Sequence, residues 1–250
     1  MTKKQYFIFL WALSSLVGVV KMLPYLAGIT VPVSVYTSSL FWMLISTGVV
    51  GIFLFLGMCF AQKVGARLLF LDGQYNFMND IFKPAALVGI VYAGIVLIAH
   101  ARVGILGEGV AALIVPGRLF SLHLFSFVQE TGLVFVFYEL SLQVFRAINT
   151  DALWLLFGVA GIALLLKTII RGMSTSQAML ISVFICAFLS HFLVIWSYGF
   201  LMIPVLESIR LLLLGLLFWK KGFETAIFSH LIMVFILFVI VPAVVLLVGA

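Results

Sequence analysis

The chain has 250 residues, of which 65% are hydrophobic and only 9% are charged. A soluble domain of this length could not solvate so much apolar surface, so the composition predicts an integral membrane protein with one membrane-embedded domain over residues 1–250. The net charge of +6 comes from Lys and Arg residues grouped at the ends of apolar segments. Cations are usual there, among lipid headgroups, so the charge indicates contact with the lipid bilayer and gives no reason to expect a nucleic-acid partner.

Several segments are long and apolar enough to be transmembrane helices, which need about 20 apolar residues to cross the hydrocarbon. Lipid offers the backbone no hydrogen-bond partners, so each segment is predicted to be helical. The first resembles a signal peptide but runs through Lys21 without an A-x-A-type cleavage site, and we interpret it as a retained span. The predicted fold is all-α and multi-pass, with about eight transmembrane helices, at residues 5–29, 36–61, 84–101, 118–145, 152–170, 175–197, 202–219 and 225–249.

The longest connection, residues 62–84, combines basic residues with LLFL and several aromatic side chains. This composition is typical of an amphipathic segment in the membrane interface, and a loop that faces the headgroups fits equally well. Cys59 and Cys186 both lie within apolar segments. We interpret them as packing residues rather than as a disulfide or a metal pair.

If the eight segments alternate in direction, equal numbers of basic residues fall on the two sides of the membrane, so they do not determine the orientation of the chain. With a cytoplasmic N-terminus, the residues that fall inside are Lys3, Lys4, Lys63, Arg67, Lys83 and Arg146. Those that then fall outside are Arg102, Arg118, Lys167, Arg171, Lys220 and Lys221. Because the positive-inside rule depends on an excess of Lys and Arg on one side, only the early segments favour a cytoplasmic N-terminus.

Polar residues inside the apolar segments are the candidate site residues. An ionised group at a helix centre costs roughly 2.5–3.5 kcal/mol on insertion scales, so it should face protein or a watery cavity. Glu130, His191 and His230 lie on three different segments. One Glu and two His residues are the set that a hydrolytic site in a membrane would need. We interpret as structural His123, Glu139 and the helix-face pair Glu207–Arg210.

Other protease signatures are weak or absent in the sequence. Residues 172–175 resemble the G-x-S segment of serine-type intramembrane proteases, but helix N-capping explains Ser174 and Thr175. The sequence contains neither H-E-x-x-H nor G-x-G-D, the signatures of the zinc and aspartyl classes. Its four histidines are not closely paired and give little support for a tightly held zinc ion. No cofactor is predicted, and any metal requirement stays open.

The stretch GFETAIFSH carries Gly222, Glu224, Ala226 and His230 in the order G-[LF]-E-x-A-x-x-x-H. This order resembles the last motif of the CAAX-protease and bacteriocin-processing (CPBP) family of membrane proteins, which includes the Ras-converting type of glutamate-dependent intramembrane proteases. The motif-bearing part of the chain would be about residues 118–249. The resemblance implies an intramembrane endopeptidase with a polar cavity lined by Glu130, His191 and His230. It also implies a peptide or prenylated protein as substrate and the plasma membrane of a prokaryote as location.

The other family motifs are matched in part. The family's F-x-x-x-H is reduced to His191, with the Phe displaced by one position. Its E-E-x-x-x-R corresponds to Gln129, Glu130 and Val134, and the Asn or Asp expected after the last His is Val234. In the family the first Glu and the first His are thought to activate water, while the second His and the Asn or Asp stabilise the oxyanion.

Three of these substitutions weaken the implied chemistry. Gln129 cannot accept a proton near neutral pH, Val134 cannot form an ion pair, and Val234 offers no hydrogen bond to an oxyanion. Either Glu130 takes over as the base, or the chain is a degenerate member with little or no proteolysis. The alternatives are a non-catalytic membrane binding, immunity or scaffold protein on the same fold, and a small transporter with a proton relay. Paired half-segments broken by Gly or Pro would favour the transporter, and no convincing pair is present.

Overall fold

The computed structural model describes residues 2–26, 46–106, 149–198 and 202–240, which form helices and the turns between them, without a strand. The α-helices are α1 (Lys3–Leu26), α2 (Gly51–Val64), α3 (Leu69–Asp72), α4 (Lys83–Leu106), α5 (Ala160–Ile169), α6 (Thr175–Tyr198), α7 (Met202–Lys220) and α8 (Phe223–Phe235). Short π-helical stretches extend some of them, at Ser46–Val50, Phe77–Phe82, Ala152–Val159 and Ile236–Ile240. The all-α prediction is confirmed for these residues, and the predicted segment 118–145 lies outside them.

Three of the described helices are long and apolar enough to cross a membrane: Phe77–Ala99, Asn149–Ile169 and Thr175–Phe192. Only 33%, 33% and 39% of the residues in their most apolar stretches are buried inside the protein. Large side chains such as Leu87 and Phe188 therefore point outwards, over more apolar surface than a water-soluble protein exposes. These helices are compatible with a membrane protein, and the full number of eight spans stays a prediction.

The helices are held together by close packing of one face of each. Among the most completely buried side chains are Leu54 of α2, Leu156 before α5, Met179 of α6 and Phe218 of α7. A smaller apolar cluster joins α4, α7 and α8, and includes Val234. In a membrane, where lipid tails are as apolar as these side chains, van der Waals contacts and hydrogen bonds stabilise such an arrangement.

Helices α4 and α8 approach each other closely and run in parallel. A Cβ atom added at Gly89 of α4 would lie 2.7 Å from the backbone oxygen of Ser229, so only glycine fits there. Near the start of both helices, Thr225 Oγ1 donates a hydrogen bond to the backbone oxygen of Asp80 at 2.9 Å. The two contacts hold α8 against α4 along most of its length and fix the position of His230 relative to α4.

The direction of each helix follows from the residues that touch. Gly57 of α2 lies against Leu156, and Gly161 lies against Phe60, so α2 and the helix Asn149–Ile169 run in parallel. Helix α6 returns beside Asn149–Ile169, because Lys167 Nζ donates a hydrogen bond to Thr175 Oγ1 at 2.8 Å. Helices α6 and α7 are antiparallel, with Gly215 against Val183.

These directions bring seven helix ends to one end of the bundle. The starts of α1, α4, α6 and α8 lie there with the ends of α2, α5 and α7, and Phe223 N–H donates a hydrogen bond to Arg67 O at 3.2 Å. The assumption that successive segments alternate in direction, which placed equal numbers of basic residues on the two sides, is therefore wrong for the described helices. It placed Arg67 on the opposite side from Lys220 and Lys221, whereas their turns are in contact.

Candidate functional site

The turn between α7 and α8 positions the candidate site. Gly222 has a φ of +119°, a conformation that side chains rarely adopt. A Cβ atom there would also lie 3.1 Å from Arg67 O, a tight contact, so the backbone conformation and the close packing both favour glycine. This turn fixes the start of α8 against the segment that follows α2. The two polar residues of α8 that match the family motif, Glu224 and His230, are consequently held at defined depths in the bundle.

Glu224 has a structural role at the start of α8. Its buried carboxylate accepts hydrogen bonds from Tyr6 OH at 2.8 Å, Leu69 N–H at 2.9 Å and Phe70 N–H at 3.0 Å. It therefore satisfies the first free amides of α3 and ties them to α1. Leu68 and Leu69 are fully buried as a result. This part of the segment 62–84 packs against protein rather than facing headgroups, a difference from the sequence prediction that Glu224 explains.

His230, six residues further along α8, lies in a buried ionic cluster with Asp151. His230 Nδ1 is 2.5 Å from Asp151 Oδ2, and the side chains are 10% and 0% exposed. Asp151 lies in the first turn of the helix Asn149–Ile169, immediately before its π-helical stretch. A residue 79 positions away in the chain therefore orients the predicted site histidine.

Arg210 of α7 completes the cluster. Its Nη1 donates to Asp151 Oδ1 at 2.6 Å, its Nε donates to Glu207 Oε2 at 2.9 Å, and its Nη2 donates to Glu207 Oε1. The predicted pair Glu207–Arg210 is thus confirmed, and Arg210 also reaches a second helix. Nη1 lies 3.0 Å from His230 Nδ1. Because guanidinium can only donate, Asp151 is the acceptor that Arg210 shares with His230 in the tautomer that carries a proton on Nδ1.

Arg210 joins the two carboxylates of this cluster. Its guanidinium contacts both Glu207 and Asp151, and Asp151 in turn contacts His230. A buried ionised group is costly unless it is paired and hydrogen-bonded, so each member of the cluster depends on its neighbours.

The side chain of His230 lies beside a narrow cleft between α4, α7 and α8. The cleft is lined by His230, Arg210 and Ser229 together with apolar side chains, and it has room for about one water molecule. Among the described residues, His230 Nε2 has no hydrogen-bond partner. Tyr92 also lines the cleft, but its hydroxyl donates to Leu206 O at 2.9 Å. Asp151 thus orients the imidazole through Nδ1, while no bond from the described residues occupies Nε2, and a group that moves a proton or donates to an anion needs such an arrangement.

The other predicted site residues are not part of this cluster. His191 is half-buried on α6, and its ring meets the edge of Phe192 with a centroid distance of 6.0 Å. In the part of the chain that the structure describes, no hydrogen bond or ion pair joins His191 to His230. Gln129, Glu130 and Val134 lie outside the described residues. Val234 is buried in the apolar cluster of α4, α7 and α8.

The sequence did not single out Asp151. The stretch Asn149-Thr150-Asp151 precedes the predicted segment 152–170 and is typical of a helix cap. The signal that could have found it is a carboxylate beside a long apolar run, which needs a cation or imidazole from another helix. Arg210 was present as that cation but was interpreted only through its neighbour Glu207.

Two structural interpretations are supported by local geometry. Ser174 caps α6, since its Oγ accepts a hydrogen bond from Gln177 N–H at 3.2 Å and Gln177 Oε1 accepts one from Ser174 N–H at 3.1 Å. Cys59 and Cys186 are both free thiols. Within residues 2–26, 46–106, 149–198 and 202–240, no three His, Cys, Asp or Glu side chains are grouped as a metal site requires.

Comparison of the chain with models of protein families, with curated proteins and with solved structures finds no match. The resemblance to the CPBP family therefore depends on the motif residues alone. Of these, the geometry gives Gly222 and Glu224 a role in the turn, and gives His230 a place in the cluster.

Proposed function

We propose that the chain is a multi-pass membrane protein of the CPBP type and an intramembrane endopeptidase whose activity is weakened by Gln129, Val134 and Val234. The observation that supports this most is the 2.5 Å contact between His230 Nδ1 and Asp151 Oδ2. A carboxylate that binds one imidazole nitrogen fixes the ring and leaves the other nitrogen for chemistry. The proposed substrate is a peptide or prenylated protein at the membrane.

In the proposed reaction, Glu130 and His191 activate a water molecule and His230 stabilises the oxyanion. This role requires the imidazolium form of His230, whose positive charge the carboxylate of Asp151 would balance. The Nε2–H of an imidazolium can donate to a carbonyl oxygen as it becomes an oxyanion in the transition state. Arg210 contacts Asp151 on its other side and so holds the carboxylate in place.

The substitutions predict a slow enzyme. Val234 supplies no second donor to the oxyanion, and removal of one such donor typically costs about 100- to 1,000-fold in kcat. Gln129 cannot serve as a general base, which typically contributes about 100- to 10,000-fold. We therefore expect Gln129→Glu to raise the rate and His230→Ala to abolish it.

The experiment is cleavage of a prenylated peptide and of a transmembrane peptide by the full chain in liposomes. Wild type, Gln129→Glu, His230→Ala and His191→Ala are compared with Ser176→Ala, a change at an exposed position outside the cluster. The expected result is slow cleavage by wild type, faster cleavage by Gln129→Glu, and loss in both histidine variants with Ser176→Ala unchanged. Failure of both wild type and Gln129→Glu to cleave either peptide would contradict the proposal.

A second candidate is a non-catalytic membrane binding, immunity or scaffold protein on the same fold. The narrow cleft favours it, because room for about one water molecule does not admit a peptide. For an immunity protein, cells that make the chain should survive a bacteriocin that kills control cells. The same survival with His230→Ala would then separate this function from catalysis, since the fold alone would suffice.

A further inference from the structure

One end of the helix bundle collects basic residues from five separate parts of the chain. This basic end is defined by the starts of α1, α4, α6 and α8, the ends of α2, α5 and α7, and the turns between them. Nine of the 14 Lys and Arg residues of the chain lie there: Lys3, Lys4, Lys63, Arg67, Lys83, Lys167, Arg171, Lys220 and Lys221. Seven of these are exposed, and Lys167 and Lys221 are half-buried.

The cations of the basic end have no carboxylate partner among the described residues. Lys83 donates to Asn79 Oδ1, Lys167 donates to Thr175 Oγ1, and Lys220 lies 3.7 Å from the ring centre of Trp219. The ion pairs of the described residues all belong to the buried cluster around Arg210. Three carboxylates, Asp72, Asp80 and Glu224, also lie at this end, so among the described residues its nine basic side chains leave an excess of six positive charges.

The opposite end is much poorer in basic residues. Lys21 and Arg102 lie in the second halves of α1 and α4, which run away from the basic end. Arg118 and Arg146 lie outside the described residues, and Arg210 is buried in the cluster. If the four remaining basic residues, Lys21, Arg102, Arg118 and Arg146, all lay at the opposite end, the basic end would still hold nine Lys and Arg residues against four.

Exposed aromatic side chains lie at the basic end. Tyr75, Phe77 and Phe82 are 40%, 44% and 41% exposed in the segment between α3 and α4. Aromatic residues are enriched at the level of the headgroups, where one side of the ring meets hydrocarbon. This second observation places the basic end at a membrane surface.

We propose that the basic end is the cytoplasmic surface of the protein and contacts the phosphates of anionic phospholipids. Short cytoplasmic loops carry the excess of Lys and Arg in membrane proteins, and anionic headgroups of that leaflet attract clustered cations. The N-terminal residues, which begin α1 at this end, are then cytoplasmic. The proposal uses only helix directions and charge, so it stands apart from the proposed peptidase activity.

The orientation is tested with two isosteric changes on one helix. Ser176→Cys at the start of α6 and Ser197→Cys near its end are made separately in a Cys59→Ala, Cys186→Ala background. A membrane-impermeant maleimide is applied to spheroplasts and to inverted vesicles of cells that make the full chain. Ser176→Cys should be labelled in inverted vesicles and lose that label in spheroplasts, and Ser197→Cys should not show the same pattern. Labelling of Ser176→Cys in spheroplasts, or in neither preparation, overturns the proposal.

The lipid contact is tested on the purified protein in neutral detergent. Phosphatidylglycerol should raise the melting temperature, and inorganic phosphate at the same concentration should not. The double change Lys220→Gln, Lys221→Gln should lose part of this shift, whereas the matched change Lys21→Gln, Arg102→Gln should retain it. An equal rise with inorganic phosphate indicates a free-anion site, and no rise with the lipid indicates no headgroup contact. Either result overturns this part of the proposal.

Discussion

Glu224 and His230 lie on the same helix, six residues apart, and both match the family motif, yet their surroundings differ. Both carboxylate oxygens of Glu224 are used, by Tyr6, Leu69 and Phe70. His230 contacts Asp151 through one nitrogen, and its side chain also lines the cleft. A motif can therefore combine a residue that builds the turn with one that lies in an ionic cluster beside a cleft. The partners of the two side chains, rather than their burial, distinguish the two.

The largest expected loss of stability comes from breaking the ionic cluster that contains His230. Asp151→Ala removes the shared acceptor and leaves Arg210 with one carboxylate and His230 with none. Breaking a buried ion pair in this way costs about 3–5 kcal/mol, which denaturation in mixed detergent micelles would measure. Asp151→Asn keeps the shape and is the matched control for loss of charge alone. If Asp151→Ala unfolds as easily as an exposed variant, the cluster is not a stabilising unit.

Glu224→Ala should separate stability from activity. It leaves three buried donors without an acceptor, with an expected loss of about 1–3 kcal/mol. Cleavage per folded molecule should nevertheless stay at the wild-type level, because no hydrogen bond or ion pair among the described residues joins Glu224 to the cluster of His230. His230→Ala should cause a large loss of turnover, and its loss of stability should be smaller than that of Asp151→Ala because Asp151 keeps Arg210 as a partner. Equal losses of turnover in the two variants would remove the distinction between the regions.

Tyr6→Phe tests one contact of the turn by itself. The change deletes the hydroxyl that donates to Glu224 Oε1 and keeps the two backbone donors. A single hydrogen bond of this kind contributes about 1 kcal/mol, so the melting temperature should fall modestly. In a Glu224→Ala background Tyr6→Phe should cost much less, because its partner is gone. Additive losses would mean that the two side chains act independently.

Ser174→Ala should cause the smallest loss of stability, and it serves as a reference variant for the changes at Glu224 and at His230. The side chain caps α6 at the basic end and touches neither Glu224 nor His230. Loss of an N-cap typically costs about 0.5–1 kcal/mol. Ser174→Thr should retain most of that contribution. A loss of activity with Ser174→Ala would reopen the G-x-S resemblance that the capping geometry explains.

The helices could be predicted from the sequence because their apolar runs are long and uninterrupted. The predicted segment 175–197 corresponds to Thr175–Tyr198, and 202–219 corresponds to Met202–Lys220. The short helix α3 was missed, since its four residues depend on Glu224, 152 positions or more away in the chain. Local propensity contains no information about such a distant cap.

The site could be predicted only in part. His230 was found because an imidazole in an apolar run needs a partner, but the identity of that partner required the packing of three helices. The same is true of Arg210, which satisfies the i,i+3 rule with Glu207 and so gave no sign of its contact with Asp151. Helix directions were mispredicted for a related reason. The sequence prediction assumed that each segment runs opposite to the one before it. In the structure, α2 and the helix Asn149–Ile169 pack against each other and run in the same direction.

The contact between Tyr6 and Glu224 spans 218 positions, which has a consequence for biosynthesis. Tyr6 is synthesised long before its acceptor, so the turn cannot close until α8 has been made. Asp151 and Arg210 are likewise translated before His230. Both regions therefore form only after the earlier helices have been synthesised, and a ribosome that stalls before residue 224 would release a chain with neither region formed.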